Sequence, residues 1–80
     1  MASRDEIFQV LADVLQKEFG FETGSFRPET HLVDDLDLDS IDAIDLAVRL
    51  EERTGVAFRD EELKAIRTLG DVVDLIDGRG

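Results

Sequence analysis

The chain has 80 residues, no cysteine, one histidine and a formal charge of −11, and these features exclude several kinds of site. Without cysteines there are no disulfides or thiolate metal sites, and the lone His31 excludes a multi-histidine site. Nucleic acids and anionic membranes need clustered lysine and arginine, so 20 acidic against 9 basic residues argue against both as partners and favour basic protein surfaces.

The first predicted element is an amphipathic helix. Ser3 and Glu6 make a capping-box pattern, and the apolar residues that follow recur at helical spacing as far as Phe19. We therefore predict a helix from about Arg4 to Phe19, stopped by Gly20.

The sequence also predicts where the protein is located and how many domains it has. The N-terminal segment is charged and has no apolar core of the kind a signal peptide carries, and the longest apolar run is too short to span a bilayer. We expect a cytoplasmic protein without a membrane span. A hydrophobic content of 42% is ordinary for a folded chain, so residues 1–80 are expected to form one small domain.

Residues 20–38 are predicted to form a long loop, because they contain the only proline and no sustained hydrophobic period. One helical turn is expected near Pro28–His31. Loops of this length are uncommon in small domains and are usually functional. His31 itself is expected to be a solvated loop side chain.

Two further helices are predicted in the next thirty residues. The second helix covers about 40–53 and ends near Thr54 and Gly55, and a short third segment covers 61–66 behind a cap at Asp60.

Thr68 and Asp71 resemble a capping box ahead of a last helix that frays into residues 78–80. No segment alternates with period two for long enough to be a strand. The predicted fold class is all-α: a small bundle of three main helices plus one short helix, with a long loop between helices one and two.

The second helix has two apolar sides, whereas a small core needs only one. One side carries Ala43, Leu46, Ala47 and Leu50; the other, called here the outer strip, carries Ile41, Ile44 and Val48. Both sides could be buried if the other helices surround this one. The flanking residues favour an exposed docking surface, because eight acids lie between positions 34 and 52, offset only by Arg49.

Ser40 stands at the start of this helix and has two possible roles. It could be the N-cap, which serine often is. Alternatively Asp39 caps, completing a box with Asp42, and the Ser40 hydroxyl points outward, where an attached phosphate would meet free backbone N–H groups and the positive end of the helix dipole. No G-x-S-x-G elbow or triad supports a nucleophilic enzyme, so the chain is not expected to be one.

The spacing of Asp35, Asp37 and Asp39 is that of the start of a calcium-binding EF-hand loop. The rest of the loop does not fit, because Ser40 replaces the glycine and Leu46 replaces the final glutamate. Weak binding of divalent ions by the clustered carboxylates stays open, and no dedicated metal site is expected.

The segment D-S-I-D-A-I-D-L at 39–46 resembles the D-S-[LI]-x-x-[VI]-[DE]-L signature of acyl carrier proteins. L-V-D-D-L-D-L before it and R-L-E-E-R-T-G-V-A-F after it are similar to that family's surroundings of helix two. R-T-L-G-D-V-V at 67–73 is similar to the entry into its last helix. The resemblance covers nearly the whole chain in length, element order and acidity.

The resemblance implies a carrier and not an enzyme. A phosphopantetheinyl transferase, usually with Mg²⁺, would attach 4′-phosphopantetheine from coenzyme A to Ser40, and the arm would carry acyl groups as thioesters. Partners would include ketosynthase, acyltransferase, reductase and dehydratase enzymes of fatty-acid or polyketide biosynthesis. The high like charge favours a monomer.

By the same resemblance, two further groups of residues acquire roles. The surface that basic partners contact would consist of Asp39, Ile41, Asp42, Ile44, Asp45, Val48, Glu51 and Glu52. The acyl pocket between helices two and three would be lined by Leu32, Leu50, Phe58, Leu63 and Ile66.

Three positions depart from the usual family pattern. Asp37 replaces a frequent glycine, although aspartate tolerates left-handed backbone better than most residues. Ile41 replaces leucine and is stiffer at χ1, which is expected to alter recognition. Leu63 is bulkier than usual near the acyl chain. These departures favour a specialised carrier over a housekeeping one.

Other hypotheses stay open beside the acyl carrier. A peptidyl or aminoacyl carrier would share the prosthetic arm. An acidic adaptor without a prosthetic group would share only the docking surface, and a divalent-ion binder only the acidic cluster.

Overall fold

The computed structural model describes residues 3–22 and 26–79 and contains four α-helices in those ranges. They are α1 (Arg4–Phe19), α2 (Ser40–Thr54), α3 (Asp60–Ala65) and α4 (Leu69–Arg79). The all-α prediction is confirmed, and the predicted ends lie within one or two residues of the observed ones for the first three helices. Helix α4 continues through Gly78 to Arg79, beyond the fraying point that the glycine suggested.

The ends of α1 follow from short-range hydrogen bonds that the sequence encodes. The Glu6 backbone N–H donates to Ser3 Oγ at 3.2 Å, as the predicted capping box requires. At the other end Gly20 adopts the left-handed region (φ 78°) and its N–H donates to the carbonyls of Leu15 and Gln16. This C-terminal arrangement ends the helix where predicted.

The short helix α3 begins one residue earlier than predicted and its cap differs. Arg59 is the N-cap, and its backbone N–H donates to the Glu62 carboxylate at 2.8 Å. The prediction that Asp60 is the N-cap is therefore wrong. Asp60 is the first helical residue, because the Glu62 carboxylate accepts from the N–H of Arg59 and not from that of Asp60. Helix α3 contributes no buried residue to the core.

Three helices and the loop before α2 enclose the hydrophobic core. Helix α1 packs against α4 and α2, whereas α3 packs mainly against α2. The buried apolar side chains are Ile7, Leu11, Ala12, Val14, Leu15, Leu32, Leu38, Leu46, Ala47, Leu50, Leu69, Val72, Val73 and Ile76. No helix in the described ranges is long and apolar enough to cross a bilayer.

The loop from residue 26 to residue 39 is more ordered by hydrogen bonds than the sequence predicts. A tight turn closes with the Thr30 N–H donating to the Arg27 carbonyl at 3.0 Å. The helical turn lies after His31, not before it: the Asp35 N–H donates to the His31 carbonyl at 3.0 Å. Its predicted position near residues 28–31 was therefore several residues too early.

Backbone hydrogen bonds attach this loop to the beginning of α4. The Leu32 N–H donates to the Arg67 carbonyl at 2.8 Å, and the Leu69 N–H donates to the Thr30 carbonyl at 3.0 Å. Gly70 donates to the Pro28 carbonyl at 2.9 Å, and a Cβ at Gly70 would meet the same oxygen at 3.0 Å. The chain leading into α2 is thus held by a contact that is distant in sequence.

Candidate functional site

Ser40 is the first residue of α2, and Asp39 is its N-cap. The Asp42 N–H donates to Asp39 Oδ1 at 2.9 Å, and the Asp39 N–H donates to Asp42 Oδ2 at 3.4 Å. This pair makes the capping box, so the second of the two roles weighed for Ser40 is the observed one. The Ser40 side chain is exposed and is not used as the cap.

The two residues before the cap direct the chain into the helix. Leu38 is buried, and its N–H donates to the Leu32 carbonyl at 3.0 Å. Asp37 has a φ of 57°, in the left-handed region that few residues other than glycine, asparagine and aspartate adopt readily. The expectation that aspartate can replace the frequent glycine here is confirmed by this geometry.

His31 organises the helical turn that precedes Ser40. Its Nδ1 accepts hydrogen bonds from the N–H groups of Val33 (3.3 Å) and Asp34 (3.2 Å). The His31 N–H in turn donates to Asp35 Oδ2 at 2.7 Å. The expectation of a merely solvated side chain is wrong. The sequence did carry a signal for this turn. His31 has a side-chain acceptor and Asp35 follows four residues later, a spacing that resembles a helix cap.

The outer strip of α2 is exposed. Ile41, Ile44 and Val48 are 74%, 53% and 51% exposed, while Leu46 and Leu50 on the inner side are buried. The alternative in which both sides of α2 are covered is wrong within the part of the chain that the structure describes.

Acidic side chains border this strip. Asp39, Asp45, Glu51 and Glu52 are exposed, whereas Asp42 is half-buried. The one base among them, Arg49, is bound to Glu18 of α1 at 2.8 Å and to Asp45 at 3.2 Å. Its charge is therefore already neutralised, and the surface around the strip is negative.

Two adjoining grooves between α2 and α3 open beside Ser40. The first has a volume of about 330 Å³ and is lined by Ser40, Ala43, Ile44, Asp60, Leu63 and Lys64. The second has a volume of about 260 Å³ and is lined by Leu32, Val33, Leu38, Asp39, Ser40, Ala43, Leu63, Lys64, Ile66 and Arg67. An exposed hydroxyl thus lies at the mouth of a partly apolar space.

Three of the five predicted pocket residues, Leu32, Leu63 and Ile66, line the second groove. Leu50 is fully buried in the core, and Phe58 packs against the core; neither lines either groove. The predicted list also omitted Ala43, which lines both grooves and whose position one turn after Ser40 was available in the sequence.

The alternating aspartates before α2 have structural uses that separate them. Asp35 accepts from the His31 N–H, Asp39 caps α2, and Asp37 forms the left-handed turn. Over residues 3–22 and 26–79, no three carboxylate or imidazole groups come together in a way that could hold a metal ion.

Comparison with known proteins gives the family. The family model described as "Phosphopantetheine attachment site" matches residues 9–76. An acyl carrier protein from Micrococcus luteus is 44% identical over 78 residues, covering 98% of this chain and 96% of that protein. A meromycolate extension acyl carrier protein from Mycolicibacterium aurum is 43% identical over 75 residues, covering 94% of this chain and 77% of the relative.

Solved structures agree in fold. The acyl carrier protein of Enterococcus faecalis superposes with a TM-score of 0.81 at 29% identity, covering 99% of this chain and all of that one. The acyl carrier protein of Thermotoga maritima gives 0.84 at 25% identity, covering 94% of this chain and 87% of that one. The chain belongs to the acyl carrier proteins, a family of phosphopantetheine-bearing carriers that are not themselves catalysts.

Proposed function

We propose that Ser40 receives the phosphopantetheine and that the chain presents acyl intermediates to enzymes of fatty-acid or polyketide-type biosynthesis. The observation that carries this proposal is the division of labour at the start of α2. Asp39 makes the capping hydrogen bond, and the adjacent Ser40 hydroxyl is exposed. A transferase can reach such a hydroxyl without disturbing the helix that it begins.

The start of α2 suits an attached phosphate. Backbone N–H groups in the first turn of a helix lack intrahelical partners, and the helix dipole is positive at this end. When bound, the arm supplies a thiol that holds acyl groups as thioesters. The protein's own contribution is to fix the attachment point at the rim of the two grooves.

The outer strip and its acidic border are the proposed docking surface. The strip supplies apolar contact, and Asp39, Asp45, Glu51 and Glu52 supply negative charge that attracts basic partners. Complementary charge of this kind mainly raises the rate of association. The transferase and the ketosynthase, acyltransferase, reductase and dehydratase partners are expected to offer basic patches to it.

We assign the acyl tail to the second groove, along Leu32, Leu63 and Ile66. Leu50 belongs to the buried core and Phe58 packs against that core, and neither lines this groove. The bulk of Leu63 in the wall of this groove fits a carrier for a dedicated pathway. The likeness to a meromycolate extension acyl carrier protein supports a specialised role.

The test is attachment of the arm. Incubation with a broad-specificity phosphopantetheinyl transferase, Mg²⁺ and coenzyme A should add one phosphopantetheinyl mass, measured on the intact protein. Ser40→Ala should take up none. Ser3→Ala, which removes the serine that caps α1, is the matched control and should still be modified.

Two outcomes would contradict the proposal. Modification of Ser40→Ala would place the arm elsewhere. An unmodified wild-type chain, with a known carrier modified in parallel, would favour an acidic adaptor without a prosthetic group.

A further inference from the structure

We propose that Lys64 is a positioning residue for the prosthetic arm, pairing its ammonium group with the phosphodiester at Ser40 and holding the arm over the α2–α3 grooves. This inference rests on the proposed function, in which Ser40 carries the arm. It assigns a cation to the phosphate at a site whose other lining residues are a hydroxyl, apolar side chains, acids and Arg67.

The first step is placement. Both grooves that open at Ser40 share the same four residues, namely Ser40, Ala43, Leu63 and Lys64. Lys64 is thus the one basic side chain that borders both grooves. Arg67 borders only the second. A group attached to Ser40 and lying toward α3 has to pass this lysine.

The second step is that the Lys64 ammonium group is not already engaged in an ion pair with another part of the chain that the structure describes. The ion pairs among the described residues engage Arg4, Lys17, Arg49 and Arg53, and none engages Lys64. Asp60 lies one helical turn earlier and borders the first groove, yet it forms no ion pair with Lys64. Asp39 borders the second groove, but its carboxylate accepts the capping hydrogen bond.

The third step is charge. A phosphodiester carries one negative charge at neutral pH, and here it would be close to the carboxylates of Asp39 and Asp42, on either side of Ser40 in the chain. Those carboxylates repel it. A compact ammonium on a flexible stem suits a phosphate partner. Pairing with Lys64 would therefore draw the arm away from the docking surface and toward Leu63.

The experiment uses the single phosphorus atom of the arm. Wild type, Lys64→Gln and Lys64→Arg are loaded, loading is verified by intact mass, and ³¹P spectra are recorded. The control is Lys17→Gln, which makes the same charge change at a lysine paired with Asp13 on α1. Helix α3 contributes no buried residue, so Lys64→Gln is expected to fold normally.

If Lys64 pairs with the phosphodiester, Lys64→Gln shifts the ³¹P resonance and narrows it, because the arm becomes freer. Lys64→Arg and Lys17→Gln leave the resonance near its wild-type position. In loaded wild type, added NaCl moves the resonance toward the Lys64→Gln position, since salt screens an exposed pair. This titration needs no variant.

Two results would overturn the inference, and they differ. If loaded wild type and loaded Lys64→Gln give the same ³¹P resonance, and salt does not move it, the Lys64 pairing is wrong and the proposed function is unaffected. If the wild-type chain accepts no arm, both the proposed function and the Lys64 pairing are wrong.

Discussion

At the scale of single residues, the start of α2 assigns two tasks to two neighbours. Asp39 satisfies the Asp42 N–H, and Ser40 keeps its hydroxyl exposed. From the sequence alone either residue could have been the cap, because serine and aspartate are about equally good N-caps. The choice depends on the residue at which the chain enters the helix, and the buried Leu38 and left-handed Asp37 fix that point.

The two tasks predict that alanine lowers stability more at Asp39 than at Ser40. Asp39→Ala removes the capping acceptor and should lower the free energy of unfolding by about 1 kcal/mol. Ser40→Ala removes no cap and should change it by less than about 0.5 kcal/mol, as surface substitutions usually do. Urea unfolding followed by circular dichroism measures both. A larger loss for Ser40→Ala than for Asp39→Ala would show that Ser40 is the cap in solution.

Asp71 shows how a cap makes stability depend on pH. Its carboxylate accepts from the N–H groups of Arg67 (2.9 Å) and Thr68 (3.1 Å), and these backbone hydrogen bonds lower the pKa of Asp71. A lowered pKa means that its contribution is complete above the ordinary value of 3.8 and is lost as the pH falls through the lower folded-state value.

We therefore expect Asp71→Ala to cost about 1 kcal/mol at pH 7 and progressively less as the pH falls below 3.8. Thermal unfolding of wild type and variant across this pH range measures the difference. A gap that stays constant from pH 7 to pH 2 would show that the charge of Asp71 contributes nothing to the cap.

At the scale of elements, the two sides of α2 should differ sharply in what they contribute. Leu46→Ala removes a fully buried side chain and should cost about 2–5 kcal/mol. Ile44→Ala, two residues away on the outer strip, should cost less than about 0.5 kcal/mol. Urea unfolding measures both, and a comparable loss at Ile44 would mean that the strip is covered in solution.

The helices were predictable and the loop was not, for a physical reason. Capping boxes and glycine stops act over three or four residues, so the ends of α1 and α2 are visible in the sequence. The turn at His31 did have a local signal in Asp35, but the attachment of the loop depends on partners far along the chain, such as the Arg67 carbonyl that accepts from the Leu32 N–H. Nothing local encodes such partners.

The candidate site likewise has a part that the sequence predicts and a part that it does not. Ser40 and the outer strip follow from helical spacing and charge, which the sequence displays. The pocket does not, because its walls come from α2, α3 and the loop together. Phe58 and Leu50 were predicted to line it, yet their side chains belong to the core and its edge, whereas Ala43 and Lys64 border the space.

At the scale of the whole molecule, the formal charge of −11 opposes compactness. Screening should relieve that repulsion, so millimolar Mg²⁺ or added NaCl should raise the melting temperature at neutral pH and low starting salt. Differential scanning fluorimetry with and without the salts measures this. An unchanged melting temperature would show that the acids are too dispersed to repel one another appreciably.

The hydrogen bonds that join the loop to the start of α4 anchor one wall of the proposed acyl space more firmly than the other. The wall at Leu32 is tied to Arg67 by the backbone, and α2 is fixed by its buried inner side, whereas α3 has no buried residue to anchor it. Accommodating a longer cargo should therefore displace α3 and leave the other three helices in place. An enzyme that contacts both α2 and α3 could then distinguish a short cargo from a long one by the tilt of one six-residue helix.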